Sequence, residues 1–521
     1  MVVLVFIQES IPLQDPKEGW RANYGFWIRV SILTFVITHF STGQAEYFID
    51  GFTISSRRLF LLSASVSTIF TLCTIPIGAN VIFPLPFSIL IMTPVYNILH
   101  IVLFRIIVGK RVMQQLLDHR EQLVKYMHFL YAQILMMFIY PVYEVLFRFS
   151  EGSRFQLLVI LLLPIIKVLI KNIVLKCMVY AEDITPEAVI FTVDFFNAIY
   201  VATCMQSASS IYAIVTITVT DISQTLIMLY GLHCQTIKIL PRLFRMATSS
   251  QDKNCATDLL TALSVLCRDP DKFGKQTLTN VRKRSCFPHQ LSAADASLLD
   301  VLSTVNQPSH LTAVVPFRKN SNIVSLEENS TPRKLCFICT RHRSNPIHPH
   351  PTTELVHLAV TAGVEENQPT EKQNSQLRTP SESILRESLE VIFTIECLVV
   401  TAYLEAIVPF FYTLYMLVMV YLPSAPYHTE MNGVTHENVG YTVLPVFIFG
   451  LLQVVSFFML VAVIKRDCGV QVMYQLTFVL EAQRSMIQGK LIIWMVITLC
   501  FRVVHFGVDF TFKFSGLGYN F

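Results

Sequence analysis

Apolar runs of about 20 residues recur through most of the chain, and no other feature of the sequence limits the fold as strongly. A helix satisfies its own backbone hydrogen bonds, and about 20 apolar residues in helical form cross the hydrocarbon layer of a membrane. Of the 521 residues, 53% are hydrophobic and 15% are charged, whereas soluble domains carry about 25% charged residues. The sequence therefore predicts an all-α, polytopic helical membrane protein, integral to the bilayer, and excludes a single soluble domain.

Ten stretches are predicted to cross the membrane: residues 24–48, 58–79, 85–108, 126–148, 155–177, 187–206, 209–232, 400–422, 441–464 and 490–513. The first is interrupted by Arg29, His39 and Gln44. Residues 386–399 mix glutamates with apolar residues at helical spacing, which favours an interfacial or bundle-packed lead-in helix over an eleventh span. Residues 110–125 and 467–489 are amphipathic and are predicted to lie along the membrane surface.

The spans divide the chain into five parts. Residues 1–23 form an N-terminal segment, 24–235 the first membrane part, 236–388 an insert, 389–513 the second membrane part and 514–521 a C-terminal tail. The insert holds 19 of the 40 basic residues, 14 of the 36 acidic residues and 11 of the 24 prolines, which predicts a mostly disordered loop. Lys and Arg residues in short loops and at helix ends number twelve on the side of the insert and five on the other, which predicts a cytoplasmic insert and external termini.

Two aspartates occupy one depth in the hairpin of the sixth and seventh predicted spans. Asp194 lies 13 residues before Ser207 and Asp221 lies 14 residues after it, so each stands about 20 Å from the turn. Lys167 and Lys171 share one face of the preceding span at a comparable depth. Because an unpaired carboxylate in a span costs about 2.5–3.5 kcal/mol on insertion scales, we expect a Lys/Asp cluster inside the bundle. Such a cluster is either an ion- or proton-coupled pathway or a buried structural pair beside a snorkelling Lys171.

The last predicted span carries a second polar stripe. Arg502, His505 and Asp509 are spaced so that they share one helical face. Asp509 would orient His505, whose ring would titrate near neutral pH and serve a proton relay or a gate; a helix-to-helix ion pair is the preferred alternative. Glu405 lies one turn before Pro409, where polar packing at a helix kink is the preferred interpretation. The pathway candidates are therefore Lys167, Lys171, Asp194, Asp221, Glu405, Arg502, His505 and Asp509.

Metal and catalytic motifs are weak in this sequence. Cys336, Cys339 and His342 in the insert form C-x-x-C-x-x-H, but the spacing matches no standard zinc finger, and this favours no metal and no cofactor. The sequence contains no Gly-rich phosphate loop, G-x-S-x-G or H-E-x-x-H, so an enzyme is not predicted. The net charge of +4 gives no reason to expect a nucleic-acid partner.

Four segments carry a resemblance to known sequences. They are EDITPEAVIFTVDFFNAIYVATCMQSASS at 182–210, LVVTAYLEAIVPFFYTLYMLVMVYLP at 398–423, YQLTFVLEAQRSMIQGKLIIWMVI at 474–497 and HFGVDFTF at 505–512. The chain resembles a large family of uncharacterised multi-pass membrane proteins of oomycetes, over most of its length outside the insert. The chain departs from the family at Thr401 to Glu405, where the family is closer to V-E-Y-V-E, and at Phe506, where it is closer to Tyr. The family has no assigned activity, so the resemblance implies a membrane fold and no site residue.

Three function classes fit these observations. Movement of a small solute or ion through the bilayer is preferred, with Lys167, Asp194, Asp221 and Arg502 as its first residues to test. The alternative is a receptor or sensor whose insert recruits cytoplasmic protein partners, and a scaffold without transport is the third. Convergence of those four residues on a hydrated cavity would favour transport, whereas separate dry ion pairs would favour a scaffold or receptor.

Overall fold

The computed structural model describes residues 2–49, 51–150, 152–153, 155–177, 189–208, 210–247, 259 and 380–508. All regular structure in these ranges is helical, apart from an isolated bridge between His428 and Val503. The described α-helices are α1 (Val2–Glu9), α2 (Tyr24–Phe48), α3 (Ser56–Asn80), α4 (Ser88–Ile107), α5 (Lys110–Asp118), α6 (Arg120–Phe149), α7 (Gln156–Cys177), α8 (Phe195–Ser207), α9 (Ile211–Ala247), α10 (Pro380–Met419), α11 (Val439–Cys468), α12 (Val472–Ala482) and α13 (Arg484–Arg502).

Eight of these helices are long and apolar enough to cross a membrane: α3, α4, α6, α7, α9, α10, α11 and α13. The prediction of an all-α, multi-pass membrane protein is confirmed at this level. Two of the ten predicted spans form helices that do not meet the same criteria. The helix α2 is long and mainly apolar but carries Arg29, His39 and Gln44 and falls short of these criteria. The helix α8 has 13 residues and is preceded by a π-helical turn at Ile190–Asp194.

The polar residues of α2 are used in contacts with its neighbours. Ser31 Oγ lies 2.7 Å from Ser67 Oγ on α3, and Thr42 Oγ1 lies 3.2 Å from the Nε2 atom of His100 on α4. Hydrogen bonds of this kind hold helices together where lipid supplies no hydrophobic driving force between them. The composition that weakens α2 as an apolar span therefore suits it to the interior of the bundle.

The helix α8 lies at the centre of the bundle. Every residue from 189 to 205 is buried, and α8 contacts α6, α9, α10 and α11. Protein rather than lipid surrounds this segment, which explains why a helix of 13 residues with polar side chains is accommodated here.

Three predicted surface or lead-in segments have different boundaries in the structure. The lead-in at 386–399 is part of α10, which runs without interruption from Pro380 to Met419, because no proline or glycine breaks the chain between Pro380 and Pro409. The stretch 110–125 divides at His119 between α5 and the start of α6. The stretch 467–489 likewise divides between α12 and the first residues of α13. The boundaries of the insert predicted at 236–388 were wrong, because residues 236–247 continue α9 and residues 380–388 begin α10. The rest of the insert lies outside the described residues, apart from Leu259.

Candidate functional site

Charged side chains from four elements meet near the middle of the bundle, and we call this group the central cluster. It consists of Lys167 and Lys171 on α7, Asp194 at the end of the π turn, Asp221 on α9 and Glu405 on α10. The Nζ atom of Lys167 lies 2.7 Å from Glu405 Oε1 and 3.4 Å from Asp194 Oδ1. The Nζ atom of Lys171 lies 2.9 Å from the same Asp194 oxygen. Lys167 therefore bridges two acids, and Asp194 bridges two lysines.

Local helix geometry places these groups together. Thr401 lies one turn before Glu405 on α10, and its hydroxyl donates a 3.1 Å hydrogen bond to the second carboxylate oxygen of Asp194. Lys167 and Lys171 are likewise one turn apart on α7, so both reach one carboxylate. Asp194 is fully buried, and Lys167 and Glu405 are 6% exposed. π turns occur frequently at functional sites, and the one at Ile190–Asp194 ends at the shared acid.

Asp221 differs from the other two acids of the central cluster. The side-chain amide of Gln453 on α11 donates a hydrogen bond to Asp221 Oδ2. Asp221 has no ion pair within 4 Å among the described residues. The central cluster thus holds three carboxylates and two ammonium groups, an excess of one negative charge when all five are ionised. A carboxylate in this position requires a proton, a cation or a water-lined space.

Asp221 also lines a small cavity between α6, α7, α8 and α9. The cavity measures about 20 Å³, and about 10–15 Å³ admits one water-sized occupant. Its polar lining comes from Tyr143, Asn197, Thr220, Asp221 and Gln224. The unpaired acid of the central cluster therefore adjoins a space in which a small occupant fits.

A second group of charges, the end cluster, lies where α1, the loop at 420–438 and the end of α13 meet. It consists of Glu9, Arg29, Glu144, His428, Glu430 and Arg502. Arg29 Nη1 and His428 Nε2 each lie 2.8 Å from Glu9 Oε2, and the Ser424 hydroxyl donates to the Glu9 carbonyl at 2.7 Å. These contacts fix the N-terminal helix to a loop more than 400 residues later in the chain.

Arg502 joins the other half of the end cluster. Its Nη1 atom lies 2.6 Å from Glu430 Oε2, and its Nη2 donates to Thr203 Oγ1 at 2.7 Å. Glu144 Oε2 lies 3.8 Å from Arg502 Nη2, and the Tyr415 hydroxyl donates to Glu430 Oε1 at 2.9 Å. With His428 protonated, the three carboxylates face three buried cations, and the exposed Arg148 also lies 2.8 Å from Glu144, so every carboxylate of the end cluster has a counterion.

His428 is held as a cation by its surroundings. Its Nδ1 atom lies 3.8 Å from Glu430 and its Nε2 atom 2.8 Å from Glu9, so both ring nitrogens face carboxylates. Burial lowers the pKa of His428, but the charge of Glu9 and hydrogen bonds with Glu430 and Glu9 outweigh burial and raise that pKa to about 9. Burial raises the pKa of Glu430, but Arg502 and His428 outweigh it and lower the pKa to about 2. His428 and Glu430 are therefore both ionised at neutral pH.

The predicted stripe Arg502, His505 and Asp509 is not a helical face. The helix α13 ends at Arg502, and His505 lies in a 3₁₀ turn, Val504–Phe506. The backbone is extended at Val503, which forms the isolated bridge with His428, so the helical register is lost before His505. The Nε2 atom of His505 donates to the Gln14 carbonyl at 2.7 Å.

The protonation state of His505 also differs from the prediction of a ring that titrates near neutral pH. Burial lowers the pKa of His505 to about 4, so the ring is neutral at pH 7. Asp509 lies outside the described residues, as do Cys336, Cys339 and His342. Arg502 lies in the end cluster and not in the central cluster.

Several residues of the two clusters were not singled out by the sequence. Gln453 and Asn197 are neutral amides inside apolar helices, and only their polarity marked them. Glu9, His428 and Glu430 lie in polar segments near helix ends, where charged residues are ordinary.

A further buried cation, Lys490, lies 4.7 Å from the centroid of the Phe129 ring and has no hydrogen-bond acceptor among the described residues.

No family model, curated protein or solved structure matches this chain.

Proposed function

We propose that the protein moves a small solute or ion across the membrane and that the central cluster is its coupling site. The observation that supports this proposal is the excess carboxylate: three acids face two lysines, and Asp221 adjoins a cavity without an ion pair among the described residues. Uncompensated charge at this depth is costly, so a site that carries it is suited to bind and release a cation or proton.

Lys167 is the residue expected to respond to that binding. It divides its charge between Glu405 at 2.7 Å and Asp194 at 3.4 Å. Protonation of Glu405, or a cation beside it, would weaken the first contact and favour the second. Because the two acids lie on different helices, such an exchange would shift α7 relative to α10 and supply the two arrangements that alternating access requires.

Flux measurement in proteoliposomes tests the proposal. Purified full-length protein should carry a proton or cation current when a membrane potential is imposed with K⁺ and valinomycin. We expect Lys167→Met and Glu405→Gln to lower the current more than tenfold, since each removes one side of the 2.7 Å pair. Arg148→Met is the matched control, because Arg148 is 40% exposed and pairs only with Glu144 among the described residues. A folded wild type without current, or equal currents in all variants, would contradict the proposal.

A sensor is the second candidate, and one observation favours it. The insert is connected to α9 and α10, the helices that carry Asp221 and Glu405, and Arg242 on α9 lies 2.9 Å from Glu387 on α10. Partners bound to the insert would act on the central cluster through these two helices. Replacing residues 250–379 with a short linker should abolish capture of cytoplasmic proteins in a sensor, and should leave the proteoliposome current intact in a transporter.

A further inference from the structure

The cavity beside Asp221 contains an acceptor atom without a donor. Asn197 is 4% exposed and lines the cavity, and its Oδ1 atom has no hydrogen-bond partner among the described residues. A buried amide oxygen left in this state costs about 1–3 kcal/mol, so its presence indicates an occupant that donates a hydrogen bond or carries positive charge.

A backbone carbonyl on α7 is also without its helical donor. Pro164 has no N–H group, so the carbonyl of Ile160, four residues earlier, loses its hydrogen bond within the helix. Ile160 and Pro164 both line the cavity. Carbonyls released in this way inside a membrane bundle are suited to coordinate alkali cations.

The chemistry of the lining selects the class of occupant. The oxygen-bearing side chains are Asn197, Thr220, Asp221 and Gln224, with Tyr143 at one wall, and no residue in the lining is basic. The Cys204 side chain also lines the cavity, but oxygen donors outnumber this one sulfur and the lining has no imidazole, which suits a hard cation. A single carboxylate balances one positive charge, and a cavity of about 20 Å³ is large enough for a small ion.

We propose that this cavity binds Na⁺ and that Na⁺ is the coupling ion of the transport proposed above, on which this inference rests. Asp221 supplies the charge, and Asn197 and the Ile160 carbonyl supply neutral oxygens. Bound Na⁺ offsets the excess negative charge of the central cluster and so alters how Lys167 divides its charge between Glu405 and Asp194.

Binding of ²²Na⁺ to the purified full-length protein tests the inference. Wild type should bind ²²Na⁺, with Li⁺ as the best competitor and K⁺ and choline as poor ones. Asp221→Asn should abolish binding, since it keeps an acceptor for Gln453 and removes the charge. Asn197→Ala should weaken binding by about tenfold or more, the scale seen for lost supporting ligands of bound metals. Thr236→Val is the control, because Thr236 is a buried polar residue on α9, the helix of Asp221, but does not line the cavity.

Thermal unfolding in NaCl against choline chloride provides a second measurement that does not depend on transport. Na⁺ should raise the Tm of wild type and Thr236→Val and leave that of Asp221→Asn unchanged. Absence of ²²Na⁺ binding, or equal competition by K⁺, would overturn the inference. If a proton current sensitive to Lys167→Met persists in Na⁺-free liposomes, the sodium site fails while the proposed transport stands. If ²²Na⁺ binds but no current is measured, the sodium site stands while the proposed transport fails.

Discussion

The central cluster and the end cluster are both buried groups of charge in one bundle, yet their charges are arranged differently. In the end cluster three carboxylates face three cations, and the side chains of Glu9, Arg29, His428 and Glu430 have 0% exposure. In the central cluster three carboxylates face two ammonium groups, and one acid adjoins a cavity. Burial alone therefore does not identify a functional charge. The balance of charge, and access to a space that an ion can enter, separate the two regions.

The end cluster has the features of a structural joint. It connects α1, α2, α8, the loop at 420–438 and α13, elements that are distant in sequence. A set of charges in which every carboxylate has a counterion gains little from a bound ion, and removing one member leaves the others uncompensated. The four predictions below test whether the two clusters differ in this way, beginning with the largest expected effect.

Arg502→Met should be the most destabilising change. It leaves the Glu430 carboxylate, 2.6 Å from Arg502, buried without its main counterion, which costs about 3–5 kcal/mol. Thermal and denaturant unfolding of the detergent-solubilised protein measures the loss. Arg148→Met removes an exposed arginine that pairs with Glu144, and this should cost less than about 1 kcal/mol of stability. Equal losses of unfolding free energy in the two variants would contradict a structural role for the end cluster.

The end cluster should also lose stability as the pH rises. The pKa of His428 is raised to about 9 in the folded protein from 6.5, so its contribution is complete below about pH 6.5 and is lost as the pH passes through 9. A shift of this size corresponds to up to about 3 kcal/mol. The lowered pKa of Glu430 makes that acid ionised throughout this window. Unfolding followed from pH 6 to 10 should show the slope in wild type and in His436→Gln, an exposed control, and a flatter profile in His428→Gln.

Lys167→Met should destabilise the protein less than Arg502→Met and impair flux more. Lys171 still lies 2.9 Å from Asp194, and Glu405, which loses its 2.7 Å contact with Lys167, can take up a proton, so we expect a loss of about 1–2 kcal/mol. The proteoliposome current should fall more than tenfold. If this variant unfolds as readily as Arg502→Met and retains its current, the central cluster is a structural joint as well.

Asp221→Asn should have the smallest effect on stability. The substitution removes a carboxylate that has no ion pair among the described residues and keeps the contact with Gln453, so Tm in Na⁺-free buffer should be unchanged or slightly raised. The matched change in the end cluster, Glu430→Gln, should lower Tm clearly. A fall in Tm of similar size in both variants would indicate that Asp221 is paired in solution as tightly as Glu430.

Much of the central cluster could be predicted from the sequence. Charged residues are rare in apolar runs, so Lys167, Lys171, Asp194 and Asp221 were recognisable, and helical spacing placed the lysines on one face. Glu405 was recognised as a candidate, but its contact with Lys167 was not, since the two residues are 238 positions apart. Asn197 and Gln453 were missed because a neutral amide in a span gives a weak signal.

The end cluster could not be predicted from the sequence. Its members come from the N-terminal helix, a loop between spans and the end of the last described helix, where charged residues are expected for any membrane protein. The stripe of Arg502, His505 and Asp509 was wrong because helical spacing was extended beyond Arg502, where the chain leaves the helix. At Val503 the backbone is extended and forms a bridge with His428, a contact 75 residues away in the chain that the local pattern does not reveal.

The sequence by itself determined that this chain is a bundle of apolar helices in a membrane, because hydrocarbon permits only backbone that satisfies its own hydrogen bonds. It also determined which few charges the bundle has to accommodate. Only the tertiary structure decided how those charges are divided between a balanced end cluster and a central cluster with an unpaired acid. Coulomb energy depends on distances between side chains, and those distances are set by helices that meet across hundreds of residues of chain.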